Sequence, residues 1–249
     1  MFKYIYCGTL VFTNILFYTI YGIPQVLSTN ITSPPICNKR EIELNTTNVI
    51  TIRGVINDKA ASDFIYELNK HNNRNKYVYI DSPGGSVDAG LKIVEEIQKN
   101  KLNCIAQKAY SMGFIILQAC DNRYITNYAS VMQHQISFKI GNEKKKVENY
   151  IDYINQIEER LIDLQIKKIG IHKSKFLKYV NDEWWVMGEN ILKENIADEI
   201  VNVNCTSKLT NQKFIEETKQ QILTYSKCPL IQEPIEKKTL GKELPFIFF

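Results

Sequence analysis

The most constraining feature of this sequence is a strand that breaks into a glycine turn and opens a helix, because it occurs twice. The apolar run Tyr77–Ile80 gives way to Ser-Pro-Gly-Gly-Ser at 82–86, and a segment with helical apolar spacing follows at once. The second copy runs from Cys104 to Tyr110 and breaks at Ser-Met-Gly, residues 111–113. Strands that alternate with helices form mainly parallel sheets, whose functional sites lie at the carboxyl ends of the strands. The repeat therefore predicts an α/β fold with a site near the two turns.

Ser111 and His134 are the candidate catalytic pair. Ser111 stands at the second strand-to-helix junction, the place where an α/β hydrolase exposes its nucleophile. His134 lies in a third short strand, Ser130–Gln135, and offers a general base. The Gly84-Gly85 turn can aim backbone N–H groups at a developing oxyanion. Together these residues predict a serine hydrolase, and the alternative role for Ser111 is that of a helix N-cap.

Three motifs, in this order and spacing, make the chain resemble the proteolytic subunit of the Clp protease: Ser-Pro-Gly-Gly-Ser, Ser-Met-Gly and Val-Met-Gln-His-Gln. The similarity covers roughly residues 49–201. It implies a ClpP/crotonase-like fold, in which β-β-α units are stacked and a long handle helix protrudes. It also implies assembly of identical subunits into a ring, a homo-oligomer.

The resemblance assigns roles to individual residues of this sequence. Ser111 would be the nucleophile and His134 the base. The backbone N–H groups of Gly85 and Met112 would form the oxyanion hole. We further expect the neighbours of Gly85 in the first turn, Gly84 and Ser86, to contact the substrate.

The third member of the triad is open between two adjacent carboxylates. In the resembling family it is an aspartate that precedes an aromatic segment and a closing Gly-Leu-(Ile/Val)-Asp, which corresponds here to residues 195–198. When the two sequences are aligned without gaps from this closing motif, the position of the family's aspartate falls on Glu183. The adjacent Asp182 has the same side chain as the family's residue. A third interpretation is that neither carboxylate contacts His134. Lys108 lies near Ser111 and suggests a Ser–Lys pair, but His134 makes a lysine base unnecessary.

The N-terminal segment predicts export. After Lys3 no charged residue occurs until Lys39, and Tyr4–Leu27 is rich in Ile, Leu, Phe and Tyr. Such a run is typical of a signal peptide or of an uncleaved signal anchor, and it is long enough to span a bilayer. We therefore expect a periplasmic, secreted or organelle-lumen protein that meets the membrane only through an N-terminal anchor, if that anchor is retained.

The cysteines fit an exported protein, in which disulfides are the usual state. Cys104 starts the strand that leads to Ser111, and Cys120 ends the helix that leaves it. The rise of a strand and of a helix brings both sulfurs near one level of the fold. Either these two cysteines are bridged or they are buried free thiols.

The chain divides into four predicted segments: a signal peptide or anchor at 1–27, a polar connector at 28–47, a Clp-like domain at 48–204 and a C-terminal extension at 205–249. Within the domain, Lys145–Ile169 carries an apolar stripe at helical spacing and corresponds to the handle. The stripe would otherwise pack on its own domain. In the extension, Gln212–Leu223 is predicted as a helix.

Composition and motifs exclude several classes of function. The net charge is only +4, from 31 basic and 27 acidic residues, so there is no electrostatic argument for nucleic acid. The sequence has no C-x-x-C pair, phosphate loop or dinucleotide-binding spacing, and we expect neither a metal nor a cofactor. The prediction is a serine endopeptidase that cleaves peptides or unfolded polypeptides outside the cytosol, without an obvious ATPase partner. The alternative is a catalytically inactive assembly scaffold.

Overall fold

The structure is a computed structural model that describes residues 39–70 and 76–240. Its main sheet has seven strands: β1 (Arg40–Leu44), β2 (Val49–Ile56), β3 (Tyr77–Gly85), β4 (Asn103–Tyr110), β5 (Arg123–Gln133), β6 (Trp184–Met187) and β7 (Glu199–Cys205). The strand order is β1-β7-β5-β4-β3-β2, and β6 pairs with β5 beside this path. Every pair is parallel except the antiparallel pair β5–β6. This mainly parallel sheet confirms the predicted α/β fold class.

Helices cover the sheet and build the main core. They are α1 (Asp58–Lys70), α2 (Val87–Asn100), α3 (Met112–Ala119), α4 (Lys144–Ile169), α5 (Lys173–Asn181), α6 (Glu189–Lys193) and α7 (Ser207–Asn211). All eight residues of α3 are buried, because α3 lies between the sheet and the helices α2 and α4. The helix that follows the candidate nucleophile is therefore fixed in the centre of the core.

The long helix α4 has two halves with different surroundings. Its C-terminal half packs on its own domain through Leu161, Ile162 and Ile169. Gln165 is buried there and hydrogen-bonds to Gln133 of β5. The N-terminal half instead exposes three large apolar side chains, those of Tyr150, Ile151 and Tyr153. The C-terminal half therefore packs on its own domain, and the handle interpretation of the N-terminal half stays a prediction.

The predicted polar connector is wrong for its last part. Residues 40–44 form β1, which pairs in parallel with β7 at the end of the domain. Ile42 and Leu44 are buried, because they alternate toward the second face of the sheet while their polar neighbours face solvent. The Clp-like unit therefore begins earlier than residue 48.

The predicted helix at Gln212–Leu223 is also wrong. The extension forms a three-stranded antiparallel sheet of β8 (Lys213–Glu217), β9 (Gln221–Ser226) and β10 (Glu236–Thr239). A turn closed by the Thr218 N–H on the Gln221 carbonyl, at 2.9 Å, reverses the chain in the middle of the expected helix. Phe214 and Tyr225 then stack across the two strands at 5.2 Å, and such aromatic pairs stabilise a hairpin.

The extension closes the second face of the main sheet. Leu209 and Cys228 join the apolar cluster that includes Tyr79 and Ile105. A disulfide links Cys205 at the end of β7 to Cys228, with Cα atoms 6.0 Å apart. The segment after Cys228 is held by the Arg53 guanidinium, which donates to two backbone carbonyls, those of Pro229 and Ile231.

A second disulfide joins Cys104 to Cys120, with Cα atoms 5.8 Å apart. The bridge connects the start of β4 to the end of α3, and so closes the unit that carries Ser111. Of the two alternatives for these cysteines, the structure has the bridged one.

Nothing in the described part of the chain is a helix long and apolar enough to cross a membrane. The predicted signal segment, Tyr4–Leu27, lies outside the described residues, as does the end of the extension from residue 241.

Candidate active site

Ser111 lies in a strained turn between β4 and α3. Its backbone has φ +53° and ψ −116°, a region that a residue with a side chain rarely occupies and that costs of order 1–3 kcal/mol. The turn is held because the Ser111 N–H donates to the Met132 carbonyl of β5 at 2.8 Å. Ser111 stands at the N-cap position, yet its hydroxyl makes no capping hydrogen bond. The side chain is therefore available for chemistry, and the N-cap alternative is not what the structure shows.

His134 faces this hydroxyl. The distance between Ser111 Oγ and His134 Nε2 is 2.9 Å, within the range that a general base needs. The backbone N–H of His134 donates to the Gln133 side chain at 3.1 Å, which fixes the chain where β5 ends. With the proton on Nδ1, Nε2 accepts from the serine and can remove its proton.

The first glycine turn packs directly against the serine. A Cβ built on Gly84 would lie 2.7 Å from Ser111 Cβ and 3.1 Å from the Met112 nitrogen. Met112 is the first residue of α3, so its N–H has no acceptor within the helix. A Cβ at position 84 would crowd this N–H, so a glycine there leaves the N–H able to donate to a substrate oxygen beside the nucleophile.

The remaining residues of the turn have structural contacts. Ser82 Oγ accepts the Gly84 N–H at 3.0 Å and donates to the Gly54 carbonyl at 2.6 Å. Gly85 has φ +151° and packs on the backbone of Ile56. Ser86 Oγ accepts the Ala89 N–H at 3.3 Å and caps α2. The predicted substrate contacts of Gly84 and Ser86, and the oxyanion role of Gly85, stay predictions.

Neither candidate acid contacts the histidine. Asp182 ends α5, where its N–H donates to the Tyr179 carbonyl at 3.4 Å. Glu183 Oε2 accepts from the indole N–H of Trp185 at 3.1 Å. Among residues 39–70 and 76–240, no carboxylate lies within hydrogen-bonding or ion-pair distance of the His134 ring. The structure thus brings Ser111 and His134 together without a third group.

Lys108 is engaged elsewhere. Its ammonium nitrogen lies 3.5 Å from Asp81 Oδ1, and this aspartate is largely buried. The ion pair explains why a lysine close to Ser111 in sequence is not the partner of its hydroxyl.

An aromatic pair beside the site was missed by the sequence analysis. The ring of Tyr110 packs edge-on against Trp185 with centroids 4.9 Å apart, and its hydroxyl shares a 2.7 Å hydrogen bond with Ser130. Trp184 points into the core, whereas Trp185 is 55% exposed. Successive side chains of a strand point to opposite faces of the sheet, so the Trp-Trp sequence could have indicated that one of the two rings is exposed. It could not have indicated which one.

No group of His, Cys, Asp or Glu side chains in the described ranges is arranged to hold a metal ion. The groups that the structure brings together at the candidate site are Ser111, His134 and the backbone N–H of Met112.

Comparison with known proteins agrees with this geometry. The family model of the Clp protease matches residues 37–204. The ATP-dependent Clp protease proteolytic subunit of Borreliella afzelii is 29% identical over 163 residues, which cover 61% of this chain and 82% of the relative. The corresponding protein of Borrelia garinii subsp. bavariensis is 30% identical, with shares of 61% and 84%. That of Streptococcus equi subsp. equi is 26% identical over 167 residues, with shares of 63% and 85%.

The family match includes both glycine turns, the serine and the histidine, and it starts before β1. It confirms the resemblance that the three motifs indicated, and with it the prediction of a serine-type peptidase. The chain belongs to the Clp protease family.

Proposed function

We propose that the protein is a serine endopeptidase that uses Ser111 as nucleophile and His134 as general base. The observation that carries this proposal is the 2.9 Å contact between Ser111 Oγ and His134 Nε2 at a strained strand-to-helix turn. A serine hydroxyl is a weak nucleophile unless a base removes its proton, and the contact supplies that base.

The reaction has two halves. Ser111 Oγ attacks the carbonyl carbon of a peptide bond while His134 takes the hydroxyl proton and then gives it to the leaving amine. The N–H groups of Met112 and Gly85 stabilise the oxyanion of the tetrahedral intermediate. Water, activated by His134, then attacks the ester on Ser111 and releases the second product.

We propose polypeptides as substrates and a homo-oligomeric ring as the working assembly. The relatives are named as proteolytic subunits, which supports a protein or peptide substrate. The exposed apolar half of α4, with Tyr150, Ile151 and Tyr153, supports contact of the handle with another subunit, since exposed apolar patches mark interaction sites.

Export is a further part of the proposal. The uncharged run Tyr4–Leu27 and the two disulfides support it. Outside the cytosol ATP is normally absent, so the enzyme would degrade peptides and loose chains without an unfoldase. Sequencing the N-terminus of the protein isolated from its source would show whether the segment is cleaved.

The second candidate function is a catalytically inactive assembly protein. The observation in its favour is the lack of a carboxylate beside His134 in the described chain, because a triad normally needs a third group to orient the imidazole.

A fluorophosphonate that labels activated serines separates the two functions. We expect labelling of Ser111 and hydrolysis of a fluorogenic peptide by the wild type. Ser111→Ala should abolish both and keep the assembly, and His134→Ala should cost about as much because triad members act as a unit. Ser62→Ala, on the exposed face of α1, is the matched control and should change nothing. Absence of both labelling and hydrolysis in the wild type would favour the scaffold.

A further inference from the structure

Two sheet edges border one cavity on the side of the domain formed by β2. Strand β2 ends the main sheet and β8 ends the three-stranded sheet of the extension, and neither has a second neighbouring strand in the described part of the chain. A cavity of about 800 Å³ is lined by both strands and by helix α1. This volume is typical of binding sites.

The cavity follows the edge of β2 and not one of its faces. Its lining includes the consecutive residues 49–53, and successive residues of a strand point to opposite faces. Ile50 belongs to the main core, whereas Val49 packs on the cluster of the second face. Only a space beside the backbone meets both. The same holds for β8, which contributes residues 214–216 to the lining.

The outer edge of β2 carries backbone groups without partners. The Asn48 carbonyl, just before β2, accepts the Tyr77 N–H of β3. In a strand, alternate residues turn their N–H and C=O groups to the same side, so those of Val49, Thr51 and Arg53 point away from β3. Among residues 39–70 and 76–240 these groups have no hydrogen-bond partner. An edge of this kind is a template for a further strand.

The two walls beside this edge supply apolar contacts. Tyr66 on α1 and Ile215 on β8 both line the cavity, and they are 65% and 68% exposed. A chain that pairs with β2 points its side chains alternately to the face covered by α1 and to the face covered by the extension. One added strand therefore contacts both walls, as in other complexes in which an extended peptide extends a sheet.

The charge of the cavity favours an acidic occupant. Two of its lysines are paired with the acidic residues of α1. Among the described residues of the lining, the charges that remain are those of Arg53, Lys208 and Lys227 against that of Glu216, a net of +2. Complementary charge selects the partner and raises the rate of its association.

One wall of the cavity comes from outside the family match. The match ends at residue 204, whereas α7, β8 and β9 belong to the extension. The extension is fixed to β2, because the Arg53 guanidinium donates to the carbonyls of Pro229 and Ile231 at 3.1 and 3.0 Å. The cavity is thus built jointly by the matched domain and by the extension.

We propose that this cavity binds an extended, acidic segment of a partner protein, which adds as a strand to the free edge of β2. The backbone of β2 pairs with the backbone of the segment, and Lys208 and Lys227 pair with its carboxylates. The inference goes beyond the proposed function and does not depend on Ser111. Residues 241–249 of the chain itself fit this description less well, because they carry one lysine, one glutamate and Pro245, which cannot donate to a strand.

The probe is a fluorescein-labelled peptide of alternating valine and glutamate with eight residues, the length of β2. Its control has lysine in place of glutamate. Fluorescence anisotropy measures binding to the full chain with Ser111→Ala, which prevents hydrolysis of the probe. We expect the glutamate peptide to bind at least about tenfold more tightly than the lysine peptide. Equal affinities, or no binding of either peptide, would overturn the proposal.

Thr51→Pro tests the strand pairing, because proline removes an outward N–H and leaves the hydrogen bonds between β2 and β3 in place. The Kd of the glutamate peptide should rise at least about tenfold. Thr51→Ala keeps the N–H and is the matched control, with a Kd within about twofold of the parent. If the two variants bind alike, the peptide does not pair with β2 and the proposal is wrong.

Lys208→Glu together with Lys227→Glu tests the charge without a change in β2, and so remains informative if Thr51→Pro does not fold. The affinity for the glutamate peptide should fall about tenfold, and that for the lysine peptide should rise. Lys178→Glu with Lys193→Glu, two exposed lysines outside the cavity, makes the same change of net charge. An equal response to both pairs would contradict binding in the cavity.

Two further measurements address the other occupants. Removal of residues 241–249 should leave the Kd of the glutamate peptide within about twofold; a tenfold gain in affinity would show that the end of the chain itself fills the cavity. Analytical ultracentrifugation of Thr51→Pro should show the same assembly as the wild type. Its dissociation would make the cavity a contact between copies of this chain. Either result would overturn the proposal of a partner protein.

Discussion

Gly84→Ala should remove most of the activity although it changes no group that reacts. A Cβ at this position would lie 2.7 Å from Ser111 Cβ and 2.7 Å from the Tyr110 carbonyl oxygen, whereas ordinary contact begins at 3.4 Å. The neighbours must therefore give way by about 0.7 Å, the difference between 3.4 and 2.7 Å. They are a backbone carbonyl and the Cβ of the nucleophile, which cannot rotate away.

The size of the effect follows from the geometry of the pair. If the displacement falls on Ser111, its 2.9 Å contact with His134 lengthens to about 3.6 Å, which is no longer a hydrogen bond. A misplacement of about 1 Å at a reacting group costs about 100-fold. Gly84 also has φ +98°, and a side chain there destabilises the fold by about 1–3 kcal/mol. We expect kcat/KM for a fluorogenic peptide to fall about 50- to 100-fold.

Gly113→Ala is the matched control for this variant. Gly113 is two residues after Ser111, but a Cβ there has its nearest neighbour at 3.5 Å, an ordinary contact. It is within α3, where alanine is the better helix former by about 1 kcal/mol. Its kcat/KM should stay within about threefold of the wild type, and denaturant unfolding should show equal or higher stability. Near-normal activity of Gly84→Ala, or equal losses in both variants, would refute the steric argument.

Two further predictions concern stability. Replacing Cys205 and Cys228 by alanine should lower the free energy of unfolding by about 3 kcal/mol, since the bridge spans 23 positions; an unchanged denaturation midpoint would contradict it. Burial raises the pKa of the Tyr79 hydroxyl from 10.0 to about 12, so the folded state holds this proton more tightly than the unfolded state. The resulting stability, about 3 kcal/mol, is present below pH 10 and is lost as the pH rises to 12. In unfolding curves measured at a series of pH values, Tyr79→Phe should no longer lose stability between pH 10 and pH 12. If the variant loses as much stability as the wild type, Tyr79 is not the source of the loss.

The parts of the fold that the sequence predicts are those that depend on patterns among neighbouring residues. The two glycine turns, the strand and helix around each, and the long helix at Lys145–Ile169 all come from apolar spacing and from breaks within a few residues. The structure has them nearly where they were expected. The contact of Ser111 with His134 was predicted because parallel strands bring their carboxyl ends to one edge.

The parts that sequence could not predict depend on distant partners. The sequence of β1 is typical of a polar connector, because Ile42 and Leu44 are buried only through the pairing of β1 with the distant β7. The hairpin of the extension does not show in local apolar spacing, because the aromatic rings that stack across it are 11 positions apart along the chain. The sequence indicates Asp182 or Glu183 as the partner of His134, but the Glu183 carboxylate accepts from Trp185 instead, and counting along the chain cannot supply such a side-chain orientation.

The parallel pairing of β1 with β7 has a consequence for the order of folding. Glu41 in β1 faces Asn202 in β7, 161 positions later along the chain. At a synthesis rate of about 5–20 residues per second, roughly 10–30 s pass between the emergence of the two strands. During that interval Ile42 and Leu44 have no strand beside them, and contacts so far apart are slow to form. Strand β1, the first of the described strands to be made, is thus one of the last to be placed, and the nascent chain carries an unpaired apolar segment until β7 has emerged.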